Sequence, residues 1–146
     1  MDKSQILKKV CPIFQNDSKV SAVYLFGSRA TQKAHLKSDI DLAILFEQRL
    51  PKLESYQRLE YYFVKLAKAL GTDPDLVDLE TVNLILLFEI LREGEVLLEN
   101  NRERNRDFIA RKTVECIDFQ FIVRLCAKGM YRKMKEKVDG QKGGTL

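Results

Sequence analysis

The chain has 146 residues, the length of one domain: enough to bury a core and short for two. A hydrophobic content of 45% beside a charged content of 32% excludes the disordered and membrane-embedded classes, and no uninterrupted apolar stretch approaches the roughly 20 residues a membrane helix needs. The net charge of +4 is uneven, because residues 101–138 carry eleven Lys or Arg against five Asp or Glu while residues 1–100 carry thirteen against fifteen.

The opening residues Met1-Asp2-Lys3-Ser4-Gln5 lack a signal-peptide pattern, which predicts a cytoplasmic protein. Cys11, Cys116 and Cys126 are odd in number and lack metal-ligand spacing, so they read as reduced packing residues. His35 is the only histidine. It therefore has no partner for a histidine metal site or a Ser/His nucleophile, and it reads as a loop residue.

In chain order, Ile6, Leu7, Val10, Ile13 and Phe14 recur at helical spacing over residues 4–15, with Ser4 or Asp2 available as the cap. Asn16-Asp17-Ser18 ends that helix and hands over to a strand at about 20–26. A Gly27-Ser28 turn and a short segment lead to a second strand at about 39–46. Tyr56, Leu59, Phe63, Leu66 and Leu70 then mark a core-facing helix, stopped by Gly71, in which Tyr61 and Tyr62 read as packing residues. Asp73-Pro74 turns into a third strand from Asp75 to Glu80. Leu84–Leu91 reads as a helix ending at Arg92-Glu93-Gly94, and Glu95–Glu99 as a short last strand.

Residues 101–137 read as one long helix with a stripe of Ala110, Val114, Ile117, Phe121, Leu125 and Met130. That stripe is longer than a small sheet can cover, which points to a partner or a self-association surface as readily as to intramolecular packing. The glycine-containing stretch 139–146 reads as a disordered tail. The expected organisation is thus a single domain over 1–138, with a core at about 4–99 and a C-terminal helix.

The chemistry gathers in residues 23–42. An apolar run stops at Gly27-Ser28, ten residues intervene, and Asp39 and Asp41 open the next apolar run. Side chains alternate along a strand, so the two carboxylates share a face, close enough to hold a divalent cation. Such a pair is costly without positive charge between them, and Mg²⁺ takes hard oxygen ligands of this kind. Gly27 leaves room for a phosphate against the backbone, Ser28 adds a hydroxyl and an N–H, and Arg29 adds a charge-assisted contact.

Gly-Ser, ten residues, Asp-x-Asp resembles the signature of the DNA polymerase beta-like nucleotidyltransferase superfamily. Gly-Ser-Arg-Ala, Ser-Asp-Ile-Asp-Leu and the later Asp-Leu-Val-Asp-Leu resemble most the minimal nucleotidyltransferases (MNT), which are paired with HEPN toxins in toxin–antitoxin modules. Thr31 departs from the glycine of many relatives. The resemblance implies an α/β (α+β) fold: a small mixed sheet with helices packed on it, like the polymerase beta palm, here with a long C-terminal helix. It implies a third carboxylate on the neighbouring strand, for which Asp75 is favoured and Asp78 is the competitor on the opposite face of a regular strand.

From the resemblance follows a two-metal nucleotidyl transfer, with two Mg²⁺ ions on Asp39, Asp41 and the third acid, and with Gly27, Ser28 and Arg29 on the nucleotide phosphates. It also implies an antitoxin that moves AMP from ATP to a tyrosine hydroxyl of a cognate HEPN ribonuclease toxin. Two alternatives stay open: a non-catalytic antitoxin that covers the toxin, and a transferase acting on a small molecule or an RNA end. A membrane is not an expected partner, and a nucleic acid partner finds support only in the basic C-terminal helix.

Overall fold

In the computed structural model, residues 1–27 and 39–143 are described. The first element, α1 (Lys3–Phe14), starts at Asp2, whose carboxylate accepts from the Gln5 backbone N–H at 2.9 Å while the Gln5 side chain accepts from the Asp2 N–H. This reciprocal cap resolves the choice between Asp2 and Ser4. There follow β1 (Val20–Phe26), β2 (Asp41–Phe46), α2 (Lys52–Leu70), β3 (Asp75–Asp78), α3 (Leu84–Glu93), β4 (Glu95–Glu99) and α4 (Arg102–Gly143). Gly71, with φ of +73°, closes α2 in the left-handed conformation that only glycine adopts cheaply.

The four strands form one mixed sheet in the order β3-β2-β1-β4. β1 is antiparallel to both β2 and β4, whereas β2 and β3 run parallel and are joined through α2. Period-two alternation sorts the central strands into two cores. Val23, Leu25, Leu42, Ile44 and Phe46 face α1 and α2, where they meet Ile6, Val10, Phe14, Tyr62 and Leu66. Ala22, Tyr24, Ala43 and Leu45 face the other way, against Leu87, Ile90, Phe108 and Cys116 of α3 and α4. Each large side chain buried this fully contributes about 1.5–3 kcal/mol, so the sheet is held from both faces. Both faces being covered explains why β1 and β2 read as unbroken apolar runs.

Polar contacts fix the start of α4 on the sheet. The Tyr24 hydroxyl donates to Asn105, whose amide in turn donates to Glu99. Burial pushes the Tyr24 phenol up to about 12, so it stays a donor at neutral pH. Glu80, just past β3, is buried and receives Arg104 at 2.8 Å and Arg111 at 3.2 Å. Arg104 also donates to the Phe46 carbonyl and covers the Phe108 ring.

Beyond Gln120 this helix leaves the domain: the side chains from Phe121 to Met130 are exposed. The helix runs through to Gly143, not ending near residue 137 as the sequence suggested. Residues 139–143, read as part of a disordered tail, continue it because no proline interrupts them and extending a helix already formed costs little. Among the described residues no helix is long and apolar enough to cross a membrane.

Loss of the Glu80 carboxylate should unlock α4. Glu80→Ala leaves the mostly buried Arg104 guanidinium without its partner, and chemical denaturation should show a loss of about 3 kcal/mol. Arg111→Ala, at a half-exposed position, should cost no more than about 1 kcal/mol. Equal losses for the two variants would refute this hierarchy.

Candidate active site

Three chain segments converge at one end of the sheet. β1 ends with Phe26 opposite Asp41, the first residue of β2, and the parallel register sets Asp41 beside Asp75, the first residue of β3. The Asp75 N–H donates to the Ile40 carbonyl at 2.8 Å, which locks this register at its open end. Ile40 is buried in the α1/α2 core and so anchors the stretch between Asp39 and Asp41. By the pleat, Asp41 and Asp75 lie on the side of Ala43 and Val77, toward α3 and α4. Asp39 stands exposed two residues before Asp41, ahead of the strand proper.

Asp41 is the electrostatic centre of this group. Burial, then the charge of Asp75, a hydrogen bond with Asp75 and the charge of Asp39 together raise its carboxyl to about 6. The Asp41 carboxyl thus keeps its proton more readily than an isolated aspartate does. Among the described residues no three His, Cys, Asp or Glu are already gathered into a metal-binding set. The arrangement is instead pairwise, Asp41 to Asp75 and Asp41 to Asp39.

Gly27 follows directly. Its φ is +73°, and a Cβ there would fall 2.3 Å from the Asp41 Oδ2 and 3.2 Å from its Cγ. Sequence reasoning gave this glycine to phosphate alone; in the structure its missing side chain makes room for the Asp41 carboxylate as well. Only the glycine at a strand end hinted at it. Of the other expected residues, Ser28 and Arg29 lie outside the described residues, as do Thr31 and His35.

Asp78 is set apart. It pairs in register with Ile44 and is buried on the α2 side of the sheet. Its carboxylate accepts from the Ser55 hydroxyl at 2.6 Å and from the Glu80 N–H at 2.9 Å. It ties α2 to the turn after β3, whereas Asp75 stands beside Asp41. A cavity of about 780 Å³ between α2 and α4, lined in part by Leu50, Ser55, Tyr56 and Leu84, lies toward the far end of the sheet from Asp41.

Two outcomes test this geometry. Gly27→Ala adds left-handed strain of about 1–2 kcal/mol and a clash worth about 1–3 kcal/mol. The clash part should vanish in a Gly27→Ala, Asp41→Ala double variant, giving a coupling of at least about 1 kcal/mol in denaturant titrations; simple additivity would disprove the contact. The second concerns pH. A carboxyl raised above its ordinary value is more protonated folded than unfolded, so in metal-free protein its contribution to stability falls as pH rises from about 4 to about 6. Asp41→Asn should therefore raise Tm by roughly 3 °C at pH 7.5, with the gain disappearing below about pH 4. An unchanged gain across that range would show that charge is not its source.

Residues 8–103 match the family model "Polymerase beta, Nucleotidyltransferase". Protein adenylyltransferase MntA of Shewanella oneidensis is 32% identical over 99 residues, 68% of this chain and 67% of that protein. A chain from a toxin–antitoxin crystal structure with AMP-PNP superposes with a TM-score of 0.61 at 25% identity, covering 88% of this chain and 97% of that one. A chain from the tri-AMPylated Shewanella oneidensis HEPN toxin in complex with MNT antitoxin superposes at 0.59 with 26% identity, covering 88% and 97%. The sheet, the paired carboxylates at its open end and the matched length together identify the chain as a member of the polymerase beta nucleotidyltransferase family.

Proposed function

We propose that this protein is an antitoxin that transfers AMP from ATP to a tyrosine hydroxyl of a cognate HEPN toxin, releasing pyrophosphate and silencing the toxin. The carrying observation is the register of Asp41 beside Asp75 with Gly27 closed against Asp41, which gathers two carboxylates and the glycine of the Gly-Ser motif at one end of the sheet. The likeness to MntA, named a protein adenylyltransferase, and to chains from HEPN toxin complexes supports the acceptor.

The donor set fits divalent metal. Asp39, Asp41 and Asp75 offer hard oxygens, and the raised Asp41 carboxyl marks a place where positive charge, proton or cation, is wanted. Mg²⁺ bound to these carboxylates would neutralise the triphosphate and acidify the acceptor hydroxyl. The chain's own residues do the rest. Gly27, Ser28 and Arg29 hold the β- and γ-phosphates, so that pyrophosphate leaves in line with attack. The tyrosine oxygen bonds to the α-phosphorus as the bond from that phosphorus to the bridging oxygen breaks. Exposed Asp75 takes the phenolic proton and returns it to water. A phenol suits this site because it ionises far more readily than an aliphatic alcohol.

Intact-mass spectrometry of the HEPN protein incubated with this chain, Mg²⁺ and ATP tests the reading. The expected result is a gain of one or more AMP units, lost in Asp39→Asn and Asp41→Asn. Binding and neutralisation by wild type and variants alike, with no mass gain, would transfer the assignment to the covering antitoxin.

A further inference from the structure

At the end of the sheet away from Asp41 the chain borders a second space. Leu50 and Lys52 follow β2, and Thr81 and Leu84 follow β3, so the cavity of about 780 Å³ lies where both parallel strands finish. Its volume falls within the range of about 300–1,000 Å³ that small-molecule sites occupy. The buried polar groups of its lining are already engaged. The Ser55 hydroxyl donates to Asp78 at 2.6 Å, and Glu80 receives Arg104 and Arg111.

The cations of the lining are engaged only in part. Lys112, 14% exposed, meets Glu115 at 3.1 Å, and the two charges cancel. Among the described residues Arg49 and Lys52 have no acid within ion-pair reach, and both stand exposed on the same cavity. Two uncompensated positive charges beside one space call for an anion. Arginine suits phosphate in particular, because its planar fork meets two oxygens at once.

The apolar lining calls for a ring as well. Tyr56 is 66% exposed, and Leu50, Leu59, Val82 and Leu84 line the same cavity. An inorganic anion would leave these groups in water, whereas a flat heterocycle laid on Tyr56 would cover them. Asn83 spends its side-chain oxygen on the Leu86 N–H at 2.9 Å and keeps its amide N–H groups as donors toward a sugar or a base.

We infer that this cavity is a binding site for a nucleoside monophosphate, separate from the carboxylate site and independent of the function proposed above. A phosphomonoester carries about two negative charges at pH 7, which matches Arg49 and Lys52. The base stacks on Tyr56 beside Leu59 and Leu84. Lys112 stays with Glu115 and contributes its apolar stem to the wall.

The experiment uses the full chain carrying Asp39→Asn and Asp41→Asn in metal-free buffer, so that the carboxylate site is disabled, and titrates AMP, adenosine and inorganic phosphate by calorimetry. The expected result is saturable binding of AMP, with adenosine and phosphate each at least about tenfold weaker because each lacks half of the contacts. In the same background, adding Arg49→Ala and Lys52→Ala should weaken AMP at least about tenfold, and Tyr56→Ala at least about fivefold, while Tyr56→Phe leaves binding unchanged. All three positions are exposed, so Tm without ligand should stay within about 2 °C. Absence of saturable AMP binding, or binding retained in full without Arg49 and Lys52, would overturn the inference. Phosphate binding as tightly as AMP would reduce the cavity to an anion site. A 5′-phosphorylated RNA oligonucleotide binding more tightly than AMP would reassign it to a nucleic acid end, and either result refutes the free nucleotide as its ligand.

Discussion

The candidate site depends on the confinement of one carboxylate. Asp41 is held by Gly27 on one side, because no atom larger than hydrogen fits there, and by Asp75 on the other through the parallel register. Backbone thus sets where this carboxylate stands, through the bare Gly27 and the strand register, while burial and the neighbouring Asp75 and Asp39 side chains set its charge. A fold optimised for stability alone would not place acids together at a partly buried strand end. Local rules are broken in this way where a site has work to do, and the cost is met by the two apolar cores on either face of the same strand.

Alternation along β3 divides two acids that the chain places three residues apart. Asp75 and Val77 go to the α3/α4 side, and Leu76 and Asp78 to the α2 side. The first acid meets Asp41 in partial exposure; the second is buried and satisfied by Ser55 and the Glu80 amide. A carboxylate with its lone pairs occupied by internal donors is poorly placed to take up a metal or a proton. The same short strand thus brings an acid to the candidate site at its start and serves structure at its end. Glu80 extends the structural role by gripping α4 through Arg104 and Arg111.

Much of this was legible in the residues. Apolar runs of strand length, helical spacing and the stops at Asn16-Asp17, Gly71 and Gly94 locate every described element to within two or so residues, apart from the far end of α4. The pairing of Asp-x-Asp with Gly-Ser pointed to the site because that chemistry needs those residue types at that separation. What stayed hidden was non-local. Which of Asp75 and Asp78 stands beside Asp41 depends on the register between strands about thirty residues apart, and no local pattern carries a register; the parallel pairing sets Asp75 there. The contact of Gly27 with Asp41 was hidden for the same reason. The end of α4 was misjudged because glycine lowers helix propensity by only about 1 kcal/mol, and such a penalty does not stop a helix without a competing structure.

A transferase this small has a further problem to solve. Binding energy remote from the reacting atoms is what enzymes use to offset the entropy of bringing two reactants together. Among the described residues, Phe121, Ile122, Val123 and Leu125 stand exposed on the projecting half of α4, whose root is fixed by Tyr24, Asn105, Glu80 and Arg104. The polar network at the base of α4 joins that helix to the sheet, so the groups buried beside the α3/α4 core also set the direction in which α4 leaves the domain.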